Sequence, residues 1–231
     1  MINPFGLILT VSLYKFAQWG IKRNLFGKLS SLPPIFIAGC VLLIIMEVFQ
    51  INIDTYNESA SILTLLLIPA TISLGYPIYK YKNLLLRNKH IIYSAFVFSS
   101  FVAVVTTYII AKLCNTDLKV ILSMLPKSVT APMAVEISKI IGGIPELTAC
   151  LVVLTGVFGA MFGHKMLRKL NVKNDIAIGI SIGSASHVIG TSRCAEKGRG
   201  KQVVMASVAF VLVGIITSIL LPVLLHLFGI K

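Results

Sequence analysis

Apolar runs of near-spanning length recur along this chain, at residues 35–49, 62–79, 91–111, 147–161 and 203–228. Most are separated by short loops rich in lysine and arginine. A helix needs about 20 apolar residues to cross the hydrocarbon core of a bilayer. The pattern predicts an all-α polytopic membrane protein with about six to eight membrane segments. Helices are expected over residues 2–19, 33–50, 60–79, 91–111, 145–163 and 202–228, the third bent by Pro69, Gly75 and Pro77.

Two stretches break this pattern. One is Pro126-Lys127-Ser128-Val129-Thr130-Ala131-Pro132; the other is Ser184-Ala185-Ser186-His187-Val188-Ile189-Gly190-Thr191-Ser192-Arg193. Pro132 lacks the N–H that a helix interior needs, and each proline disfavours helical geometry in the residue before it. Irregular backbone persists at membrane depth only where protein or a water-filled cavity satisfies its polar groups. Two broken segments in one apolar chain point to a binding site for a small polar solute.

The distribution of cations sets the expected topology. Loops 20–30 and 80–90 are basic and read as cytoplasmic, whereas 51–58 carries Asp54 and Glu58 and no lysine or arginine and reads as external. Loop 164–175 holds Lys165, Arg168, Lys169 and Lys173 and reads as cytoplasmic, so Gly142-Gly143-Ile144-Pro145 falls outside, like the loop at 112–119. Residues 119–141 then begin and end on one side, as a hairpin turning at residues 126–132. Arg193, Lys197, Arg199 and Lys201 make the same case for 176–192, turning near 184–186. The alternative, in which both segments cross fully as unwound helices, stays open. It requires a dense basic loop outside or one further crossing. Leu32-Pro33-Pro34-Ile35-Phe36 is also similar to Thr130-Ala131-Pro132-Met133-Ala134, which suggests two structural repeats against a background of chance likeness among apolar helices.

Composition narrows the class. At 56% hydrophobic and a mean hydropathy of +0.91 over 231 residues, the chain is too apolar for an ordinary soluble domain. Its net charge of +13 sits in loops, which fits a membrane topology and not a nucleic-acid face. Cys40, Cys114, Cys150 and Cys194 show no CxxC spacing and read as small hydrophobic side chains. Residues 1–4 carry no basic region and Lys15 interrupts the run behind them, so the first segment is expected to remain as a helix. There is no HExxH, GxSxG, Walker A loop or dinucleotide fingerprint; no enzymatic activity, cofactor or metal is expected.

The chemistry is concentrated at the breaks. A lysine near mid-membrane is costly, so Lys127 reads as a cation that attracts an anionic solute, against the alternatives of snorkelling or pairing with Glu136. Ser128 and Thr130 add hydroxyls, and the helix restarting at Pro132 points its N-terminus at the break, which also favours an anion. Glu136 and Lys139 are spaced to pair locally, or Glu136 could carry a coupling proton. In the second break Ser184, Ser186, His187, Gly190 and Thr191 are more polar than helix packing requires, although Gly179, Gly183 and Gly190 suit packing. His187 could donate to a carboxylate or carry a proton, or simply bond a neighbouring helix. Arg193 reads as loop charge before solute clamp, Glu47 has no local partner, and His164 and His226 look like helix-end residues. The candidate binding residues are Lys127, Ser128, Thr130, Ser184, Ser186, His187, Gly190 and Thr191.

At these breaks the chain resembles the LrgB/CidB family, which includes YohK-like inner-membrane proteins and the C-terminal half of the plastid glycolate/glycerate translocator. The matching text is Leu125-Pro126-Lys127-Ser128-Val129-Thr130-Ala131-Pro132-Met133-Ala134, Ile141-Gly142-Gly143-Ile144-Pro145-Glu146-Leu147-Thr148-Ala149, and the whole second break. Ile68-Pro69-Ala70-Thr71-Ile72-Ser73-Leu74-Gly75-Tyr76-Pro77-Ile78-Tyr79 fits only loosely, since the family often reads Gly-Pro-Ala and Ala-x-Pro-Leu-Tyr there. The resemblance spans nearly the whole chain and implies a single transmembrane domain over 1–231 in a bacterial cytoplasmic membrane. It implies transport of small monocarboxylates such as glycolate, glycerate or pyruvate, or an antiholin-like role in murein hydrolase export and autolysis. The partners it implies are a small anionic solute, the lipid bilayer, a small LrgA/CidA-type membrane protein and a homo-oligomer, with no nucleic acid.

Overall fold

The computed structural model describes residues 4–27, 32–73, 75–87 and 89–229, and all regular structure among them is helical. In chain order the helices are α1 (Phe5–Lys22), α2 (Pro34–Val48), α3 (Ile53–Ser59), α4 (Ser61–Ser73), α5 (Gly75–Lys80), α6 (Lys82–Arg87), α7 (Lys89–Leu113), α8 (Leu118–Met124), α9 (Ala131–Ile141), α10 (Pro145–Lys169), α11 (Asp175–Glu196) and α12 (Gly200–Leu227). The all-α membrane reading holds. Among the described residues α7, α10 and α12 are each long and apolar enough to cross a bilayer.

The chain forms two compact units, Met1–Gly75 and Tyr76–Lys231. In the first, α1 and α2 bury Ala17, Ile37 and Ala38 against each other. The expected loop 51–58 is instead mostly helical. Asn52 accepts from Asp54 N at 2.8 Å and so caps α3, and no glycine or proline interrupts the segment. Ser59 Oγ accepts from Gly6 N at 3.0 Å, which ties α3 to α1. The expected helix 60–79 is divided into α4, with Pro69 inside it, and α5; residue 74 between them lies outside the described residues. Loop 80–90 is also largely helical, because leucine, lysine and arginine are good helix formers even where they are polar.

In the second unit the first break is a hairpin, as expected. The chain leaves Ser123, passes through a tip at residues 126–130 and returns along α9, so that Ile144 N donates to Ser123 Oγ at 2.7 Å. At about 1.5 Å per residue, α8 spans about 10 Å and α9 about 16 Å, too short to cross a core about 30 Å thick. Thr148, on the first turn of α10, closes the base. Its hydroxyl lies 2.7 Å from Ser138 Oγ and 3.0 Å from Ser123 O, and all three residues are fully buried. Thr148→Val is expected to cost about 1–1.5 kcal/mol, near the upper end for membrane hydrogen bonds because three groups lose a partner together. Thermal unfolding in detergent measures it.

The second break is a hairpin inside α11, and it turns at His187, not at 184–186 as expected. His187 has φ 40° and ψ −136°, which no helix contains. Beyond it the chain folds back: a Cβ on Gly190 would stand 2.9 Å from Ile182 Cγ2, whereas eight residues along a continuous helix are about 12 Å apart. Cys194 shares a buried cluster with Ile178 and Ile182, and Thr191 Oγ1 donates to His187 O at 2.9 Å, which holds the turn. The base of this hairpin is at the far end of α10, where Asp175 bonds Gln202 and Gln202 bonds His164. His164 and Thr148 are about 24 Å apart along α10. The two hairpins therefore enter from opposite ends.

Hairpin plus crossing helix thus occurs twice, as α8–α10 and as α11–α12, running in opposite directions. That is an inverted repeat. The likeness between residues 32–36 and 130–134 is a shared helix start: Pro33 and Thr130 are both extended, with a proline in the first turn that follows.

Candidate functional site

The tips of both hairpins reach the same middle stretch of the second unit. Val152 of α10 lies in the apolar cluster that contains Leu125 and Val129 of the first hairpin, and its carbonyl accepts from His187 Nε2 of the second at 2.9 Å. On α12, Gly183 of the second hairpin lies against Ala206, and Met133 of the first lies against Gly214.

At the first tip Lys127 Nζ donates to Thr107 Oγ1 of α7 at 2.7 Å. The Thr107 hydroxyl donates in turn to Ala103 O, so its lone pair faces the lysine. Lys127 does not pair with Glu136, whose carboxylate holds Lys139 at 2.8 Å on an exposed face, in the local pair read from their spacing. Ser128 and Thr130 are buried beside it. Thr130 is the N-cap of α9, yet its side chain caps nothing. The first-turn N–H groups of Ala131 and Met133 have no partner within the helix, and the helix dipole favours negative charge there.

At the second tip Ser186 and His187 are 0% and 2% exposed. Val152 O can only accept, so the imidazole donates from Nε2. His187 Nδ1, Ser184 Oγ and Ser186 Oγ are buried without a hydrogen-bond partner. Gly156 and Gly159 of α10 make room for this tip: a Cβ at 156 would stand 2.7 Å from His187 Cε1, and one at 159 would stand 2.6 Å from Ser186 Cβ. Gly190 and Thr191 serve the turn itself, Gly190 by close packing on Ser186 and Ile182 and Thr191 through its bond to His187 O. Arg193 lies within the return limb of α11 and bonds Glu196 at 2.8 Å. Cavities elsewhere in this unit are lined by Ile92, Asn174 and Ser181, and by Tyr81, Lys201 and Met205; at the tips Ser128, Thr130, Ser184, Ser186 and His187 are buried.

The conformation of His187 is a test in itself. A residue with a Cβ at this φ is strained, and glycine is not. His187→Gly is expected to be more stable than His187→Ala by about 1 kcal/mol, the reverse of the usual order inside a helix. Thermal unfolding of the two variants checks it.

Sequence reasoning missed Thr107, one of several hydroxyls on an otherwise ordinary apolar helix. It also missed Val152, which acts through its backbone. Gly156, Gly159 and Gly163, at helical spacing, were the available signal for the face of α10 that receives the second hairpin. His164, expected at a helix end, is 4% exposed and bonded to Gln202 at 2.9 Å. The basic text after it carries charge that suits water, while the ring itself turns inward.

The LrgB-like family model matches residues 10–227. Antiholin-like protein LrgB of Bacillus mycoides (strain KBAB4) is 32% identical over 232 residues, covering 99% of this chain and 98% of that protein. Antiholin-like protein LrgB of Bacillus cereus (strain B4264) is 31% identical over the same span. An uncharacterized protein of Haemophilus influenzae is 38% identical over 184 residues, 79% of this chain and 78% of its own length. No solved structure matches. With a family match over most of its length and full-length relatives above 30% identity, the chain belongs to the LrgB-like family.

Proposed function

We propose that this protein is a carrier for small monocarboxylates of the glycolate, glycerate or pyruvate class, working by alternating access in a bacterial cytoplasmic membrane. One observation carries the reading: His187 Nδ1, Ser184 Oγ and Ser186 Oγ are buried together at a hairpin tip with nothing to bond. Leaving a buried polar atom unpaired costs about 1–3 kcal/mol; a bound carboxylate would accept from the two serine hydroxyls, and from Nδ1 once that nitrogen has taken up a proton. Lys127, at the tip of the first hairpin, supplies positive charge. The buried tips correspond to an occluded form, and displacing either hairpin would admit solute from its own side. Basic residues at the base of the second hairpin support a cytoplasmic face there.

The name of the full-length relatives, antiholin-like protein LrgB, favours a second reading, an antiholin-like regulator of murein hydrolase export and autolysis acting with a small LrgA/CidA-type partner. The names bear on this reading more directly than on transport, and the chemistry of the tips bears on transport. Proteoliposomes containing only this purified chain separate the two. The carrier reading expects saturable uptake of labelled glycolate or pyruvate, reduced at least tenfold in His187→Gln. Uptake absent from the single chain and restored only with an LrgA-type protein would favour the second.

A further inference from the structure

The two hairpins are fastened at their bases by different chemistry. The first base, Ser123–Ser138–Thr148, is built from hydroxyls and backbone. The corresponding place in the inverted copy holds Asp175, Gln202 and His164. There the carboxylate can only accept, so it takes an N–H from Gln202 Nε2 at 2.7 Å. That fixes the amide with Oε1 toward His164 Nε2 at 2.9 Å, and since Oε1 also only accepts, the ring donates from Nε2. The neutral ring then carries a bare lone pair on Nδ1, which is buried without a partner. Cys194, 0% exposed, lies beneath the clasp with its Sγ 3.7 Å from His164 Nε2.

We propose that His164 Nδ1 is a proton-binding site and that its occupation releases the base of the second hairpin. Arg168 from α10 and Lys197 and Arg199 from the turn into α12 act on the ring, the Cys194 thiol lies against it, and Asp175 of α11 is linked to it only through Gln202. The Asp175 carboxylate is held by Gln202 and not by the ring. Burial, together with Arg193, Arg199 and Arg168, already holds Lys197 below the ordinary lysine range, which shows how crowded with positive charge this end is. A proton on Nδ1 adds one more positive charge and a donor with no acceptor. Neither hydrogen bond of the clasp is lost on protonation; the buried charge and the unpaired donor are relieved when α11 separates from α10 and α12 so that water reaches the ring. The hydroxyl clasp of the first hairpin contains nothing that titrates near neutral pH. The gate holds whether or not the tips bind a carboxylate.

Cys194 is a built-in reporter. The purified full-length protein is labelled with N-ethylmaleimide between about pH 8 and about pH 5.5, spanning the ordinary imidazole range. Each site is read by mass spectrometry, and each rate is divided by that of the unfolded chain at the same pH, which cancels thiol ionisation. The normalised rate at Cys194 is expected to rise about tenfold as pH falls, since one linked proton changes an equilibrium by at most about tenfold per pH unit. Exposed Cys150 should stay level. His164→Gln should keep Cys194 slow at both ends of the range, and Gln202→Ala should make it fast at both. A level Cys194 profile in the unmodified protein overturns the proposal, as does a pH response that survives in His164→Gln or a slow Cys194 in Gln202→Ala.

Discussion

Valine in place of Gly183 is expected to abolish the folded protein. A Cβ at this position would stand 2.7 Å from Ala206 Cα and 2.8 Å from Ala206 C, and closer still to Ala206 O. These are backbone atoms of α12, so no rotamer change relieves the clash. Small residues let membrane helices approach this closely, and the descending limb of α11 rests on α12 through Gly179 and Gly183. Overpacking a well-filled site typically costs about 1–3 kcal/mol; a clash of three valine carbons with fixed backbone belongs at about 3 kcal/mol or more. Gly39→Val is the matched control. Nothing lies within 4 Å of a Cβ there, so it should leave the yield of monodisperse protein unchanged while Gly183→Val removes it.

Lys127→Met should have a large effect of a different kind: the protein should gain stability and lose its ligand. Lys127 is bonded to a neutral hydroxyl, and no carboxylate pairs with it in the described salt bridges. A cation held among helices with only a hydroxyl for company is costly, and methionine fills nearly the same volume without charge. A gain of about 1–3 kcal/mol in unfolding free energy is expected, accompanied by at least a tenfold loss of solute affinity. Destabilisation by Lys127→Met would mean that the lysine is a structural strut held by Thr107 and not a binding group. Thr107→Val supplies the complementary result, since it strips the lysine of its partner without removing the charge.

Much of this architecture was legible because apolar runs and basic loops report directly on bilayer crossing. The first hairpin could be read from Pro126, Pro132 and the charge bias on either side. The second could be read as a hairpin, but its turn could not be placed. Nothing in Ser-Ala-Ser-His-Val-Ile-Gly says that the histidine, with Gly190 available nearby, takes the positive φ. Its ring is anchored by Val152 O, a tertiary contact 35 positions away. The short helices at 53–59 and 82–87 were read as loops from polarity, which tracks exposure more than backbone shape. His164 was set aside because lysines and arginines follow it, and its role depends on Asp175 and Gln202, distant in sequence. The opposed arrangement of the two hairpins followed from the charge bias of the loops, but no likeness of sequence marks the two copies, because the repeat is one of topology, carried by hydroxyls in one copy and by ionisable groups in the other.

The account rests on one ligand held by both hairpins. Thermal unfolding with a panel of short carboxylic acids tests this most directly, on the unmodified protein, on Lys127→Met from one hairpin and on Ser186→Ala from the other. Ligand at 100 times its Kd adds about 2.7 kcal/mol of stability. The account predicts that at least one acid gives a shift of that order in the unmodified protein and that either substitution alone removes at least about half of it. Stabilisation by no acid, or a full shift surviving in either variant, contradicts it.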